Sequence, residues 1–312
     1  MRLFNGLRAD QFRVSHLSVI EENSFKMEEM IKKADVLIEA LPYIQSFYDK
    51  TIVIKYGGAV LTDTTIRRDV LEDIVFMSYV GMRPVLVHGG GPYISKRIES
   101  LGKDVRFVKG YRVTDEETME VVEDELSKVN REIVREIISL GGSAISLSGK
   151  EDHLIEVKKH ADIDGEDIGF VGEITKVNGD VIQKMITSDI IPVISPIGIG
   201  KDGFTYNVNA DNAAAEIARN LGANKFVLLT NVRGILRDQK KPESIISHLS
   251  IAEVEELMNN VITGGMIPKV RACIRALERG VKKTHIIDGR IPHGILLEIF
   301  TDKGVGTEIV RR

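Results

Sequence analysis

A single cysteine, Cys273, stands in a chain of 312 residues. One cysteine excludes disulfides within the chain and cysteine-rich zinc sites, and such usage fits a reducing cytoplasm. No stretch approaches the roughly 18 consecutive apolar residues that a membrane span needs. The opening MRLFNGLRADQFRVSHLSVIEENSF lacks the apolar core of a signal peptide, and Asp10, Glu21 and Glu22 do not suit an acid-poor mitochondrial presequence. Charge of one sign is missing too. The formal net charge is −4 and the pI is near 6.0, with both signs interspersed, so no nucleic-acid partner is expected. Together these absences point to a cytoplasmic protein without a membrane or nucleic-acid partner. Familiar catalytic strings are lacking as well: there is no H-E-x-x-H, no G-x-S-x-G, no nucleophilic cysteine motif and no G-x-x-x-x-G-K-[ST]. A G-x-G-x-x-G string does occur at Gly198, Gly200 and Gly203. It is followed by Phe-Thr-Tyr-Asn rather than a helix, so it reads as a turn.

What remains is a chain with 43% hydrophobic residues, long enough for one large or two ordinary domains. Residues 25–41 place Met27, Met30, Ile31, Ala34, Leu37, Ile38 and Leu41 on one face of an amphipathic helix that Pro42 limits. Two readings stay open: a helix packed on its own domain, or one whose preceding residues 1–24 form an arm that meets another subunit. From Thr51 short apolar strands alternate with helices. TIVIKYGG and RPVLVHGGGP each run a strand into glycines. Helices are expected over about 65–80, from Pro92 to Gly102, and from a Thr114–Glu117 capping box to Leu140. Residues 153–206 read as antiparallel strands, with Asn178–Gly179 as a hairpin turn. The alternation then resumes through IIPVISPI, NADNAAAEIARNLG, FVLLTN and a helix from Pro268 to Arg279, with THIIDG, ILLEIFT and GTEIV as closing strands. Repeated βαβ units imply a mostly parallel sheet covered by helices, with a soft boundary near residue 206. Ligands bind beyond the carboxyl ends of such strands.

Both glycine turns fall there. Backbone amides at Gly57–Gly58 and Gly89–Gly91, with a helix N-terminus behind the latter, suit an anion that comes too close for side chains. Lys55 ends the first of these strands. Lys269 sits just past Gly264–Gly265 at the start of a helix, where a cation opposes the helix dipole at about 0.3–1 kcal/mol unless an anion is present. Asn207, Asn209 and Asp211 alternate before the next helix, more polar groups than one helix cap requires. Lysines, glycine turns and one aspartate suit anion stabilisation better than acid–base work.

Taken in order, IKYGG, VLVHGGGP, GYRVTDEET, VNREIV, SLSGK, GFVGEI, SPIG, YNVNADNAA, GGMIPKV and IIDGRIPHGILLEIFTDKGVGTEI make residues 51–312 resemble the amino acid kinase family, in particular its branch acting on N-acetyl-L-glutamate. The resemblance implies a three-layer α/β/α sandwich with a central mostly parallel sheet, preceded by an N-terminal amphipathic helix. Residues 1–50 would be an extension carrying an oligomerisation helix, 51–206 a lobe for the acceptor and for dimerisation, and 207–312 an ATP lobe. The implied reaction moves the γ-phosphoryl group of ATP, with Mg2+ on its phosphates, to the side-chain carboxylate of N-acetyl-L-glutamate in arginine biosynthesis. By position Lys55, Lys269 and Asp211 would be catalytic. Gly90, Gly91, Arg112 and Asn207 would bind the acceptor. Gly57, Gly58, Asn231, Val232, Arg233, Gly234, Ile235, Leu236, Val261, Ile262 and Thr263 would bind nucleotide. No residue is expected to hold a metal directly.

Arginine-inhibited members also resemble this chain at His285, Glu298 and Gly304, which implies an arginine effector site. Their N-terminal helix interlaces dimers into a hexamer, a trimer of dimers. Ala59-Val60-Leu61, Asn231 and Tyr111 depart from the usual pattern at the acceptor and adenine contacts. Two further readings accompany the leading one: a kinase for a homologous acid such as N-acetylaminoadipate, and a non-catalytic arginine sensor.

Overall fold

The computed structural model describes residues 7–301 and 303–312; the first six residues of the expected N-terminal arm lie outside it. Its elements follow the chain as α1 (Leu7–Phe47), β1 (Thr51–Tyr56), α2 (Thr64–Tyr79), β2 (Arg83–His88), α3 (Gly91–Ser100), β3 (Phe107–Val108), β4 (Tyr111–Arg112) and α4 (Glu116–Ser139). Next come β5 (Ala144–Ser148), β6 (Ile155–Lys159), β7 (Gly172–Val177), α5 (Gly179–Ile186), β8 (Ile191–Ser195), β9 (Ile197–Gly200), β10 (Thr205–Asn207) and α6 (Ala210–Asn220). The chain ends with β11 (Lys225–Thr230), β12 (His248–Ser250), α7 (Ile251–Leu257), α8 (Met266–Glu278), β13 (Lys283–Asp288), α9 (Gly294–Ile299) and β14 (Thr307–Val310).

The described residues fall into two units, one up to residue 46 and the other from residue 47 onward. The first is the greater part of α1, which runs on through Pro42 instead of stopping there. An interior proline removes one backbone bond and crowds the carbonyl four residues back, a strain that a helix can take up by bending rather than by ending. Met27, Met30, Ile31, Leu37, Ile38 and Leu41 on this helix are 45–68% exposed.

The second unit is built on an eight-stranded sheet of order β12-β14-β13-β11-β1-β2-β8-β5, all parallel except the β13–β14 pair. Its central strands are covered on both faces. Val53, Val85, Val87 and Leu228 pack toward α5, α6 and α8, while Ile52, Ile54, Leu86 and Val227 pack toward α2, α4 and α9. That two-sided burial is why these strands read as unbroken apolar runs. The expected three-layer α/β/α sandwich is therefore the observed fold. A smaller sheet, β10-β9-β6-β7, and the ribbon β3–β4 stand beside it. Among the described residues no helix is long and apolar enough to cross a membrane.

Three expectations need correction. GDVIQKMI is helix α5, not the second arm of a hairpin; Ile182 and Ile186, four residues apart, are its buried positions, a helical spacing. ILLEIFT is mostly helix α9, with Ile295 and Ile299 buried at the same spacing. The cap of α4 is Asp115, whose carboxylate accepts from the Thr118 N–H; Thr114 instead donates its hydroxyl to the Arg112 carbonyl. In the glycine string at 198–203, Gly198 and Gly200 belong to β9 and only Gly203 to the turn that joins it to antiparallel β10.

Candidate active site

Strands β1, β2, β8 and β11 all end on one edge of the sheet, and the segments that follow them line the cleft. Gly57 and Gly58 leave β1. At Gly57 a Cβ would lie 2.9 Å from Lys55 Nζ and 3.4 Å from the Gly89 Cα, so the two glycine turns pack on each other with the lysine between. The three glycines after β2 differ in role. A Cβ on Gly90 would meet Leu126 at 2.6 Å, whereas one on Gly91 would meet nothing within 4 Å. The first position is closed by packing, and the second is left open toward the cleft.

At the cleft's centre Asp211 is 7% exposed and held between two cations. Lys55 Nζ lies 2.9 Å from Oδ1, a charge contact rather than an aligned hydrogen bond, and Lys269 Nζ donates to Oδ2 at 2.9 Å. Burial would raise the Asp211 carboxyl, but the Lys55 and Lys269 charges outweigh it and hold it well below the usual carboxylate range. The cluster carries one net positive charge in a mostly buried place, which an arriving anion would neutralise. Asn209 is the cap of α6, accepting from the Asp211 and Asn212 N–H groups. That assignment leaves Asn207 and Asp211 to the cleft, and Asn207 donates to the Thr114 hydroxyl at 3.2 Å.

Arg112, 7% exposed, ends β4. Its Nη2 donates to the Gly91 carbonyl at 3.1 Å and to the Ser95 hydroxyl at 2.9 Å, and its guanidinium lies 4.7 Å from the centre of the Phe107 ring. Among the described residues no carboxylate pairs with it, and Nη1 is buried without a hydrogen-bond partner. Burial accordingly pulls its pKa down.

Two cavities meet at the lysine pair. One, of about 220 Å³, is lined by Lys55, Gly58, Gly90, Gly91, Arg112, Asn207 and Asp211. The other, of about 400 Å³, is lined by Asn231, Val232, Gly234, Ile235, Leu236, Val261, Ile262, Thr263 and Lys269. A wider opening of about 940 Å³ shares Asn209 and Tyr111 with the first and Gly265 with the second. Every residue expected at the site thus lines one of the two cavities except Gly57, which packs beneath Lys55, and Arg233, which is exposed in the loop after β11.

Away from the cleft, His285 and Glu298 come together. His285 Nδ1 lies 2.7 Å from Glu298 Oε1, and Oε2 accepts from the Val305 and Gly306 N–H groups at 2.6 and 3.0 Å. Gly304, at φ +60°, passes so near that a Cβ would sit 2.6 Å from Oε2. The sequence reading missed Lys225, whose Nζ reaches His285 Nε2 at 3.1 Å. Burial lowers its pKa to about 8. A lysine opening the otherwise apolar strand KFVLLT was the available signal.

Fold and cleft together are those of a phosphotransferase of the amino acid kinase type, and the chain belongs to the amino acid kinase family, which matches residues 50–288. Within it, the chain is similar to the acetylglutamate kinase of Moorella thermoacetica, 55% identical over 289 residues that cover 90% of this chain and 98% of that protein. The acetylglutamate kinase of Petrotoga mobilis is 54% identical, covering 92% and 96%. Among solved structures, N-acetylglutamate synthase from Neisseria gonorrhoeae complexed with coenzyme A and N-acetyl-glutamate superposes with a TM-score of 0.82 at 26% identity. That likeness covers 89% of this chain but only 63% of the synthase. Carbamate kinase from Giardia lamblia bound to AMP-PNP, with a TM-score of 0.63 at 16% identity, shares the fold.

Proposed function

We propose that this protein acts as an acetylglutamate kinase, transferring the γ-phosphoryl group of ATP to the side-chain carboxylate of N-acetyl-L-glutamate in the cytoplasm. The observation that carries this reading is the meeting of two cavities at Lys55, Asp211 and Lys269. The smaller cavity, with the unpaired Arg112, takes the acceptor; residues 51–206 supply most of it. The larger, from residues 207–312, takes the nucleotide. The acceptor carboxylate is ionised at neutral pH, so no general base is needed. Alignment of the two reactants and neutralisation of charge on the transferring group then supply the catalysis. Lys55 and Lys269 flank that group, with Asp211 keeping both in place. Asp211 is the one carboxylate lining either cavity among the described residues, and both lysines already occupy it. Mg2+ would therefore be held by the ATP phosphates rather than by a protein carboxylate, and would supply positive charge to offset theirs.

Hydroxylamine trapping tests the reading: ATP, Mg2+ and N-acetyl-L-glutamate should yield an acyl phosphate captured as the hydroxamate. No hydroxamate with this acid would overturn it, and faster turnover of N-acetylaminoadipate would reassign the substrate. We assign Lys225, His285, Glu298 and Gly304 to an arginine effector site, since Glu298 can pair with a guanidinium and Gly304 permits close approach. Glu298→Gln should raise the arginine concentration for half-inhibition by about tenfold or more, the loss expected for one charged hydrogen bond. An unchanged inhibition curve would remove the assignment. The exposed stripe on α1 fits a second copy of the chain in a hexamer. Light scattering after deletion of residues 1–41 should show a smaller assembly, and an unchanged subunit number would refute this.

A further inference from the structure

His88 closes β2 with its ring fully buried, and the proposed reaction gives it no role. Its Nδ1 lies 2.9 Å from the Gly89 carbonyl oxygen, and its Nε2 lies 3.0 Å from Asn130 Nδ2. A carbonyl can only accept, so Nδ1 carries the proton and Nε2 accepts from the Asn130 amide. Asn130, buried on α4, cannot turn its amide round. Its Nδ2 also donates to the Val193 carbonyl at 2.9 Å, where an oxygen would face another oxygen. Its own Oδ1 is buried without a partner, so the interior leaves one donor unit committed to the histidine at the expense of an unsatisfied acceptor. Such an arrangement holds a single tautomer of a neutral imidazole. Burial keeps it neutral, lowering the ring pKa to about 4.

The consequence lies one peptide further on. The Gly89 N–H is held by the Tyr56 carbonyl at 2.7 Å, and its carbonyl is held by His88. In a planar trans peptide the C=O and the following N–H point in opposite directions. With the Gly89 oxygen drawn toward the buried imidazole, the Gly90 N–H is turned the other way, and Gly90 lines the cleft beside Lys55. Among the described residues the Gly90 N–H has no acceptor. With three glycines in succession the backbone has wide freedom to rotate this peptide, so a clamp is required if the donor is to be aimed before the anion arrives.

We propose that His88, oriented by Asn130, is a positioning residue that clamps the Gly89–Gly90 peptide and keeps the Gly90 N–H aimed at the anionic oxygens reaching the cleft. The proposal rests on the phosphoryl-transfer reading for its kinetic consequence, but its geometry can be tested without turnover. An asparagine at 88 places an amide donor where Nδ1 stands, while a glutamine places its donor where Nε2 stands. His88→Gln is therefore expected to lower kcat by about ten- to hundredfold, part of the loss seen on removing one such donor, with KM for ATP and acceptor within about threefold. His88→Asn should recover most of that loss, although both variants forfeit a similar share of packing and of thermal stability. Equal losses in the two variants, or a His88→Gln enzyme with normal kcat, would overturn the proposal. Nitrogen-15 spectra of the unmodified protein provide the second arm, independent of whether the variants fold. They should show His88 protonated at Nδ1 alone across neutral pH, and a Gly90 amide resonance that shifts on adding N-acetyl-L-glutamate together with magnesium and a non-hydrolysable ATP analogue. A proton on Nε2, or a Gly90 amide indifferent to that pair of ligands, would sink the clamp. Absence of hydroxamate from the unmodified protein would instead retire the kinase reading, leaving the clamp to be judged by these spectra.

Discussion

Lys269→Ala should lower kcat by about a hundred- to a thousandfold, about 3–4 kcal/mol of barrier, because it removes one of two cations aimed at charge that grows during transfer. The reason for choosing Lys269 over Lys55 is structural. Lys269's side chain is 23% exposed and that of Lys55 only 9%. Lys55 is also packed against Gly57, so its removal would disturb the glycine turns as well as the charge. Without Lys269 the buried Asp211 still has Lys55 at 2.9 Å, so no lone carboxylate is left in the interior and the fold should persist. The cluster, however, falls from one net positive charge to zero, and the attraction for the transferring group falls with it. KM for N-acetyl-L-glutamate should change little, since Arg112 and the glycine amides are untouched. Initial rates by hydroxamate trapping, with circular dichroism as the check on folding, measure this. A kcat within about threefold of normal in a folded variant would remove Lys269 from the phosphoryl-handling role.

The central sheet was readable because burial on both faces leaves strands such as TIVIKY and KFVLLT apolar except near their ends, and helices between them announce themselves by caps and glycine stops. The failures were local. GDVIQKMI and ILLEIFT are short apolar runs whose helical spacing spans little more than one turn, too short for period 3.6 to stand out from a strand. Pro42 lies inside α1 rather than at its end, because proline can kink a helix without breaking it. At the site, Lys55 and Lys269 could be picked out because each stands where a strand or helix meets a glycine turn, and Asp211 because it alternates with Asn207 and Asn209 at the start of a helix. The meeting of the two lysines on one carboxylate follows from packing across the fold, with α6 lying against both β1 and α8. Pairings across the fold left no linear trace: Lys225 with His285, and His88 with Asn130, join residues 60 and 42 positions apart. The empty Nη1 of Arg112 is likewise invisible until its neighbours are in place.

That unpaired guanidinium leads to the other large effect expected. Arg112→Ala should raise KM for N-acetyl-L-glutamate by about a hundredfold or more, since hydrogen bonds to a charged group are worth about 1.5–3 kcal/mol each and a carboxylate can accept two from one arginine. Stability should respond differently. In the free protein Arg112 is a desolvated cation with no carboxylate partner among the described residues, fixed by one carbonyl, one hydroxyl and the Phe107 ring. A buried charge so poorly compensated costs stability, so its removal should leave the melting temperature of the unliganded protein nearly unchanged or raise it. The two responses separate in a thermal shift titration. Saturating N-acetyl-L-glutamate stabilises only a protein that binds it, by RT ln(1 + [L]/Kd). The unmodified protein should therefore melt higher with the acid present, and Arg112→Ala should show almost no shift at the same concentration. Arg112→Lys should fall between them, because an ammonium keeps the charge but cannot offer the paired donors of the guanidinium. A full shift in Arg112→Ala would mean that the acceptor carboxylate is held elsewhere, whereas a large fall in melting temperature without ligand would make Arg112 a structural residue of the β3–β4 ribbon.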